Sequence, residues 1–262
     1  MKKANLNSYG LIPLKCNNNY EKIHIFINGF MTDEEPNPLD DDWLKSLEHL
    51  IGSKDNVYLY RWESGLDYLK MKNHFTFKTK KNIVKKFLPI VITKTFPILN
   101  AMSIPFFFID EWKMANKNCK EFGIKLANDL YELYKFETKE INIYAHSLGT
   151  NLVKHSLLEL SNKTISVNNI FLFGGATNTE EYFNWVSICE VVNGGVYNFY
   201  TKNDEILKKL YKFVELGCHP IGLKPIDVKN VNNLFNIDVT YTVNSHFEYK
   251  KNLPTIFRNL KQ

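Results

Sequence analysis

Residues 141–152, which read INIYAHSLGTNL, decide the fold of this chain. An apolar run ends at Ser147 and a run with helical spacing begins directly after it, so the stretch predicts a sharp strand-to-helix turn with the serine at its tip. Such a turn strains the serine backbone and leaves room only for small residues two positions before and after it. Ala145 and Gly149 meet that requirement. A serine that merely caps a helix would explain Ser147 but not its small neighbours.

On both sides of this turn, short β-branched and aromatic runs alternate with longer helical patterns. The alternation predicts a mostly parallel, doubly wound sheet of about six strands with helices on both faces. We expect strands near residues 22–28, 56–62, 140–145, 168–173, 196–201 and 237–243. We expect helices over residues 40–51, 113–136, 149–160, 204–214 and 253–260. An antiparallel strand before residue 22 should be short or absent.

The chain length of 262 residues suits one domain that spans residues 1–262. Residues 66–112 form a strongly apolar insertion that the predicted sheet does not need. The longest charge-free stretch of this insertion, residues 95–109, is shorter than the roughly 20 residues that a membrane-spanning helix requires. The insertion is therefore expected to be a lid, a membrane-contacting surface or part of the core.

Composition narrows the class of protein. The net charge of +5 fits peripheral contact with an anionic membrane surface, and no nucleic-acid-binding motif is present. Four widely spaced cysteines predict reduced thiols rather than a disulfide framework or a zinc site. The acidic residues 33–42 lack the spacing of a calcium loop, so we expect no metal and no cofactor. Without a signal peptide the expected location is cytoplasmic, with membrane association or signal-less export left open.

The sequence AHSLG at residues 145–149, placed between a strand and a helix, resembles the nucleophile elbow of α/β-hydrolase lipases and esterases. Ala145 stands in place of the usual first glycine of that motif. More narrowly, the chain is similar to a lipase-like hydrolase family of poorly defined function that includes eukaryotic transmembrane and coiled-coil domain proteins. Besides the elbow, the matching segments are residues 26–30, the strand end at Trp62, the helix over 112–130, and residues 173–176 and 220–223. The resemblance implies an α/β-hydrolase fold.

The resemblance also implies a catalytic triad in the chain order serine, acid, histidine. Ser147 would be the nucleophile, His246 the base that accepts its proton, and Asp204 the acid that orients the imidazole. Asp204 and His246 each follow a predicted strand, at the edge where a doubly wound sheet gathers its site. Glu205 and Asp227 remain alternatives for the acid.

An oxyanion hole needs two backbone N–H donors. By the same resemblance, Leu148 would supply one donor because it directly follows the nucleophile. Phe30 would supply the other, with Met31 as its alternative, since Gly29-Phe30 is similar to the His-Gly-x turn of the family. Asn28 replaces the usual histidine of that turn.

These residues favour a serine hydrolase that cleaves carboxylic esters through an acyl-serine intermediate. Acyl lipids are the expected substrates because of the apolar insertion and the family resemblance. Two alternatives remain open. The departures at Asn28 and Ala145 motivate a non-catalytic binding module, and the same triad could serve an acyltransferase whose acceptor is not water. His146 is expected to be a packing or pocket residue beside the nucleophile.

Overall fold

Seven strands form one sheet in the part of the chain that the structure describes. This computed structural model describes residues 9–30, 32, 42–65, 106–135, 139–163, 165–179, 182–215 and 218–260. The strands are β1 (Gly10–Lys15), β2 (Lys22–Ile27), β3 (Asn56–Arg61), β4 (Glu140–His146), β5 (Asn169–Phe173), β6 (Val196–Tyr200) and β7 (Leu234–Asp238). Their order in the sheet is β1-β3-β2-β4-β5-β6-β7. Strand β1 runs antiparallel to β3, and all other neighbouring strands are parallel.

Helices cover both faces of this sheet. Within the described ranges the α-helices are α1 (Asp42–Leu47), α2 (Phe106–Tyr134), α3 (Gly149–Leu160), α4 (Tyr182–Val191), α5 (Glu205–Phe213) and α6 (Tyr249–Asn259). Buried side chains of α2, α3, α4 and α5 pack in one core, and those of α1 and α6 pack in a second core on the other face. Strand β2 supplies Ile23, Ile25 and Ile27 to the first core and Phe26 to the second. A parallel sheet covered on both faces requires such continuously apolar strands.

Aromatic side chains form a stack across the face that carries α1 and α6. Tyr144, Phe171, Tyr197 and Phe235 occupy paired positions on β4, β5, β6 and β7. Successive ring centroids lie 4.8, 5.0 and 5.0 Å apart. Each such pair adds about 0.5–1.5 kcal/mol beyond the burial of its surface. Many of the aromatic residues therefore stabilise the sheet.

The predicted fold class is confirmed, and the strand count is seven instead of about six. The extra strand is β1, whose Pro13 lies beside a register shift at the sheet edge, a position that tolerates proline. Strand β7 spans Leu234–Asp238 rather than residues 237–243, because it pairs with β6 over the length of β6.

Two helices begin earlier than the sequence predicts. Helix α2 begins at Phe106, inside the segment predicted as an insertion, and α6 begins at Tyr249 and includes Pro254. Residues 66–105, the larger part of the predicted insertion, lie outside the described residues. The lid and membrane roles predicted for that segment stay predictions.

The serine turn lies at the end of the central strand of the sheet. Ser147 lies between β4, which is central in the sheet, and α3. Strands β4, β6 and β7 are parallel, so the loops that follow them meet at one edge of the sheet. This arrangement is the α/β-hydrolase fold, and it brings three distant segments of the chain to the carboxyl edge of the strands.

Candidate active site

The Ser147 turn has the strained backbone that its small neighbours predict. The φ angle of Ser147 is 55°, in the left-handed region that non-glycine residues rarely adopt. The turn is held because the Ser147 N–H donates to the Phe173 carbonyl (3.0 Å) and the Ala176 N–H donates to the Ser147 carbonyl (3.0 Å). A Cβ atom on Gly149 would lie 2.6 Å from the Asn28 carbonyl oxygen, which explains the small residue there.

The side chains of Ser147, His246 and Asp204 lie in line at this turn. His246 Nδ1 is 2.6 Å from Asp204 Oδ2, and His246 Nε2 is 2.8 Å from Ser147 Oγ. A carboxylate only accepts hydrogen bonds, so Nδ1 carries the proton and Nε2 accepts from the serine hydroxyl. Ser147 and His246 are each 5% exposed, and Asp204 is fully buried. The three residues are therefore arranged for proton transfer from serine to imidazole.

Asp204 has two roles in the structure. Its Oδ1 accepts from the Leu207 N–H at 2.9 Å and caps α5, while its Oδ2 faces His246. Capping fixes the carboxylate, because one of its oxygens is bound to the helix. The two alternative acids lie elsewhere: Glu205 forms an exposed ion pair with Lys208, and Asp227 is exposed.

His246 does not directly follow the last strand. It opens a short 3₁₀ turn (His246–Glu248), several residues beyond the end of β7. The connecting loop is tied to the loop that carries Asp204, because Thr201 Oγ1 donates to the Val243 carbonyl at 2.9 Å. Asn203 Nδ2 also donates to the Thr240 carbonyl at 2.9 Å. These bonds hold the acid loop and the histidine loop together.

The Gly29-Phe30 turn lies against the nucleophile. A Cβ atom on Gly29 would be 2.6 Å from Ser147 Cβ and 3.1 Å from Ser147 Oγ, so only glycine allows this approach. On the other side of the serine, Leu148 is fully buried at the start of α3, where helix N–H groups favour negative charge. Phe30 and Leu148, the residues predicted to supply the oxyanion donors, directly follow Gly29 and Ser147 in the chain. Met31 lies outside the described residues.

Asn28 supports the Gly29 turn in a way that the sequence did not reveal. Its Oδ1 accepts from Trp43 Nε1 at 2.6 Å, and its carbonyl accepts from Trp62 Nε1 at 3.0 Å. Asn28 is buried, so these two indole donors satisfy oxygens that water does not reach. The partners are far from Asn28 in the sequence, and no local pattern signals the contacts.

Phe30 joins this turn to the segments on either side of residues 66–105. Its ring packs edge-on against Trp112 of α2, with centroids 5.3 Å apart. A Cβ atom on Gly65 (φ 119°) would lie 2.7 Å from the same ring. Trp112 Nε1 in turn donates to Glu215 Oε1 at 3.2 Å. Phe30 therefore packs against the described chain on both sides of residues 66–105.

Two more titratable side chains pack beneath the triad. His146 is buried beside His246, and burial, followed by the charge of His246, lowers the pKa of His146 well below its usual value. Tyr249 is fully buried, and burial, followed by the charge of Asp204, raises the pKa of its phenol. Both side chains are therefore neutral near neutral pH. His146 packs beside His246, where the sequence analysis expects a packing or pocket residue.

Within the described ranges, no helix is both long and apolar enough to cross a bilayer. In the same ranges, no three His, Cys, Asp or Glu side chains are grouped so that they could hold a metal ion.

Several curated proteins are similar in sequence. The chain is 25% identical over 227 residues to an uncharacterized membrane protein of Caenorhabditis elegans. This match covers 83% of this chain and 36% of that protein. It is 25% identical over 269 residues to an uncharacterized membrane protein of Schizosaccharomyces pombe, covering 97% of this chain and 33% of that protein. The chain thus spans about a third of the length of these relatives. It is also 28% identical over 140 residues to the probable lipase MIL1 of Saccharomyces cerevisiae, covering 52% of this chain and 13% of that protein.

Solved structures of hydrolases are similar at low identity. Acyl-protein thioesterase 2 of Zea mays is 10% identical, with a TM-score of 0.49 and coverage of 97% of this chain and 98% of that one. Esterase PE8 is 12% identical, with a TM-score of 0.46 and coverage of 97% of both chains. Across the whole of residues 1–262 the chain matches the family described as "Protein of unknown function (DUF726)", and it belongs to that family.

Proposed function

We propose that this protein is a serine hydrolase that cleaves carboxylic esters through an acyl-serine intermediate. The observation that carries the proposal is the line from Asp204 through His246 to Ser147 on its strained turn, with distances of 2.6 and 2.8 Å and a Ser147 φ of 55°. A serine hydroxyl becomes a competent nucleophile when a neighbouring imidazole accepts its proton. The similarity to a probable yeast lipase agrees with this reaction class.

The reaction would proceed in two halves. Ser147 Oγ attacks the ester carbonyl carbon while His246 Nε2 takes the hydroxyl proton, and Asp204 stabilises the resulting imidazolium. The negative oxygen of the tetrahedral intermediate would be bound by the N–H groups of Leu148 and Phe30. The bond to the alcohol oxygen then breaks, and His246 protonates the leaving alcohol. Water attacks the acyl-serine with His246 as base, and the carboxylic acid leaves.

Acyl lipids are the proposed substrates. Support comes from the probable lipase among the relatives and from the apolar ring of Phe30, which directly follows the Gly29 turn beside Ser147. Peripheral contact with a lipid surface belongs to the same proposal, and the relatives named as membrane proteins agree with it. Sedimentation with anionic vesicles at low and high salt tests this part, because charge-driven binding weakens with salt.

A non-catalytic binding module is less well supported. The departure at Asn28 motivated that alternative, but Asn28 accepts hydrogen bonds from Trp43 and Trp62 and so anchors the turn beside Ser147. Ala145 is fully buried and small enough for the elbow. Product analysis in the presence of an alcohol acceptor would separate hydrolysis from acyl transfer.

The test is fluorophosphonate labelling together with hydrolysis of acyl esters of increasing chain length. Ser147→Ala should abolish labelling and lower the hydrolysis rate by about 10⁴-fold or more. Ser156→Ala is the matched control, because Ser156 is buried in the same helix α3 and its hydroxyl has no partner among the described residues. Wild-type protein that neither labels nor cleaves any acyl ester would overturn the proposal. Equal labelling of wild type and Ser147→Ala would do the same.

A further inference from the structure

His146 makes a hydrogen bond to the histidine loop that the proposed reaction does not use. It is the last residue of β4, and its Nε2 lies 2.9 Å from the backbone carbonyl oxygen of His246. A carbonyl oxygen only accepts, so the proton of His146 is on Nε2. The bond joins residues 100 positions apart, and it links the strand before the nucleophile to the backbone of the proposed base.

The His146 ring also packs directly against the His246 ring. The two centroids lie 4.8 Å apart, and the Tyr249 ring lies 5.8 Å from His146 on another side. The titratable and charged groups that face His146 are His246, together with Tyr249 and Lys250 of α6. His146 is held both by a directed hydrogen bond and by ring packing, so its position constrains the position of His246.

Apart from the hydrogen bonds of its side chain, His246 has few contacts that hold its backbone in place. The bonds from Thr201 and Asn203 end at Val243 and Thr240, before the histidine. Asn244 N–H donates to Glu248 Oε2 at 3.1 Å, which is a contact within the loop. Among the described residues, the bond from His146 is the one that fixes the His246 backbone to the sheet.

We infer that His146 is a positioning residue, whose Nε2–H group holds the His246 carbonyl and thereby orients the His246 imidazole between Asp204 and Ser147. The inference rests on the proposed function, because it assigns His246 the role of base. A neutral ring at position 146 suits this role. During the proposed reaction His246 becomes a cation, and a second cation 4.8 Å away would oppose that step.

Three substitutions of His146 distinguish a positioning role from a packing role. His146→Leu keeps an apolar filling but removes the donor. His146→Gln places an amide N–H near the position of Nε2, whereas the shorter amide of His146→Asn does not reach the His246 carbonyl. We expect kcat to fall by roughly 10- to 100-fold in the Leu and Asn variants with little change in KM, since small misplacements of a reacting group have effects of this size. The Gln variant should recover most of the lost kcat.

A second measurement does not depend on turnover. The proton shared by His246 and Asp204 gives a low-field proton NMR resonance, which should be retained in wild type and His146→Gln and lost in the Leu and Asn variants. If wild type is active and all three variants keep its kcat and its resonance, the inference is wrong. If the Leu variant does not fold, the Asn and Gln pair decides the question alone. Wild type that is inactive but shows the same pattern of resonances would refute the proposed function and leave the positioning role supported.

Discussion

The described residues include two buried arrays of carboxylate, imidazole and hydroxyl, at opposite ends of one sheet. At the carboxyl edge, His246 lies between Asp204 and Ser147. At the amino end, His24 Nε2 lies 3.1 Å from Asp55 Oδ2, and His24 Nδ1 lies 3.1 Å from the Tyr144 hydroxyl. The residues of both arrays are almost completely buried. Three such groups in line are therefore not enough to define an active site.

The two arrays differ in the backbone that surrounds them. The ring of Tyr144 extends from a regular strand into the aromatic stack, its hydroxyl faces His24, and burial raises the pKa of the phenol. The hydroxyl of Ser147 lies on a turn with φ 55°, at the start of a helix and against the Gly29 turn. Only the second environment has the strained strand-to-helix turn and the helix N-terminus that favours a developing negative charge. The His24 array stabilises the core.

The largest expected effect comes from replacing the aspartate of each array. Asp204→Asn should lower kcat by about 10⁴-fold, because the amide favours the wrong tautomer of His246. Asp55→Asn should leave kcat unchanged and lower the free energy of unfolding by about 1–3 kcal/mol, because a neutral amide oxygen accepts more weakly than a carboxylate from His24 Nε2 and the Gly52 N–H. Steady-state kinetics and urea denaturation measure the two quantities. A similar loss of kcat in both variants would erase the distinction between the arrays.

An intermediate effect is expected from the glycine beside each array. Gly29→Ala would bring a Cβ atom to 2.6 Å from Ser147 Cβ and 3.0 Å from the His146 carbonyl oxygen, so the oxyanion turn must move. Loss of one oxyanion donor lowers kcat by about 10²–10³-fold. Gly52→Ala is the matched control, since its Cβ would meet the end of the Asp55 side chain at 3.0 Å. Esterase kinetics with an unchanged rate in Gly29→Ala would contradict the placement of the oxyanion turn.

The smallest expected effect is a dependence of stability on pH. Burial lowers the pKa of His24, against the opposing charge of Asp55, and burial lowers the pKa of His146 as well. The unfolded chain therefore binds more protons than the folded one once the pH falls below 6.5, the ordinary value of both groups. The free energy of unfolding should then decrease, by at most about 1.4 kcal/mol per pH unit for each histidine.

Urea denaturation at a series of pH values below neutrality measures this slope. His24→Gln and His146→Gln should each make it shallower, because each removes one group that takes up a proton on unfolding. A slope that is unchanged in both variants would show that other groups control the acid stability.

The parts of the fold that local pattern determines were predictable from the sequence. Helix α3 has the predicted bounds, because the serine turn fixes its start and its apolar spacing fixes its length. The end of β7 was not predictable, since pairing with β6 rather than its own composition limits it. The antiparallel strand expected before residue 22 to be short or absent is present as β1, because its pairing with β3 at the sheet edge, where proline is tolerated, follows from the assembled sheet.

The candidate active site shows the same difference between features that the sequence predicts and features that depend on tertiary contacts. The sequence named Ser147, Asp204 and His246 because each follows a strand that ends at one edge of the sheet, and the structure brings these three side chains together. The support of Asn28 by Trp43 and Trp62, and the bond from His146 to the His246 carbonyl, depend on tertiary contacts with no periodic signal. Sequence reasoning reached the three residues of the proposed triad and missed the contacts that hold them in place.

The left-handed backbone of Ser147 has a thermodynamic consequence. A non-glycine residue in that region costs about 1–2 kcal/mol relative to an unstrained one. Glycine at position 147 would relax the turn, so the simplest route to a more heat-resistant version of this protein is the one that deletes its proposed nucleophile. Thermal stability and the proposed activity therefore place opposite demands on residue 147.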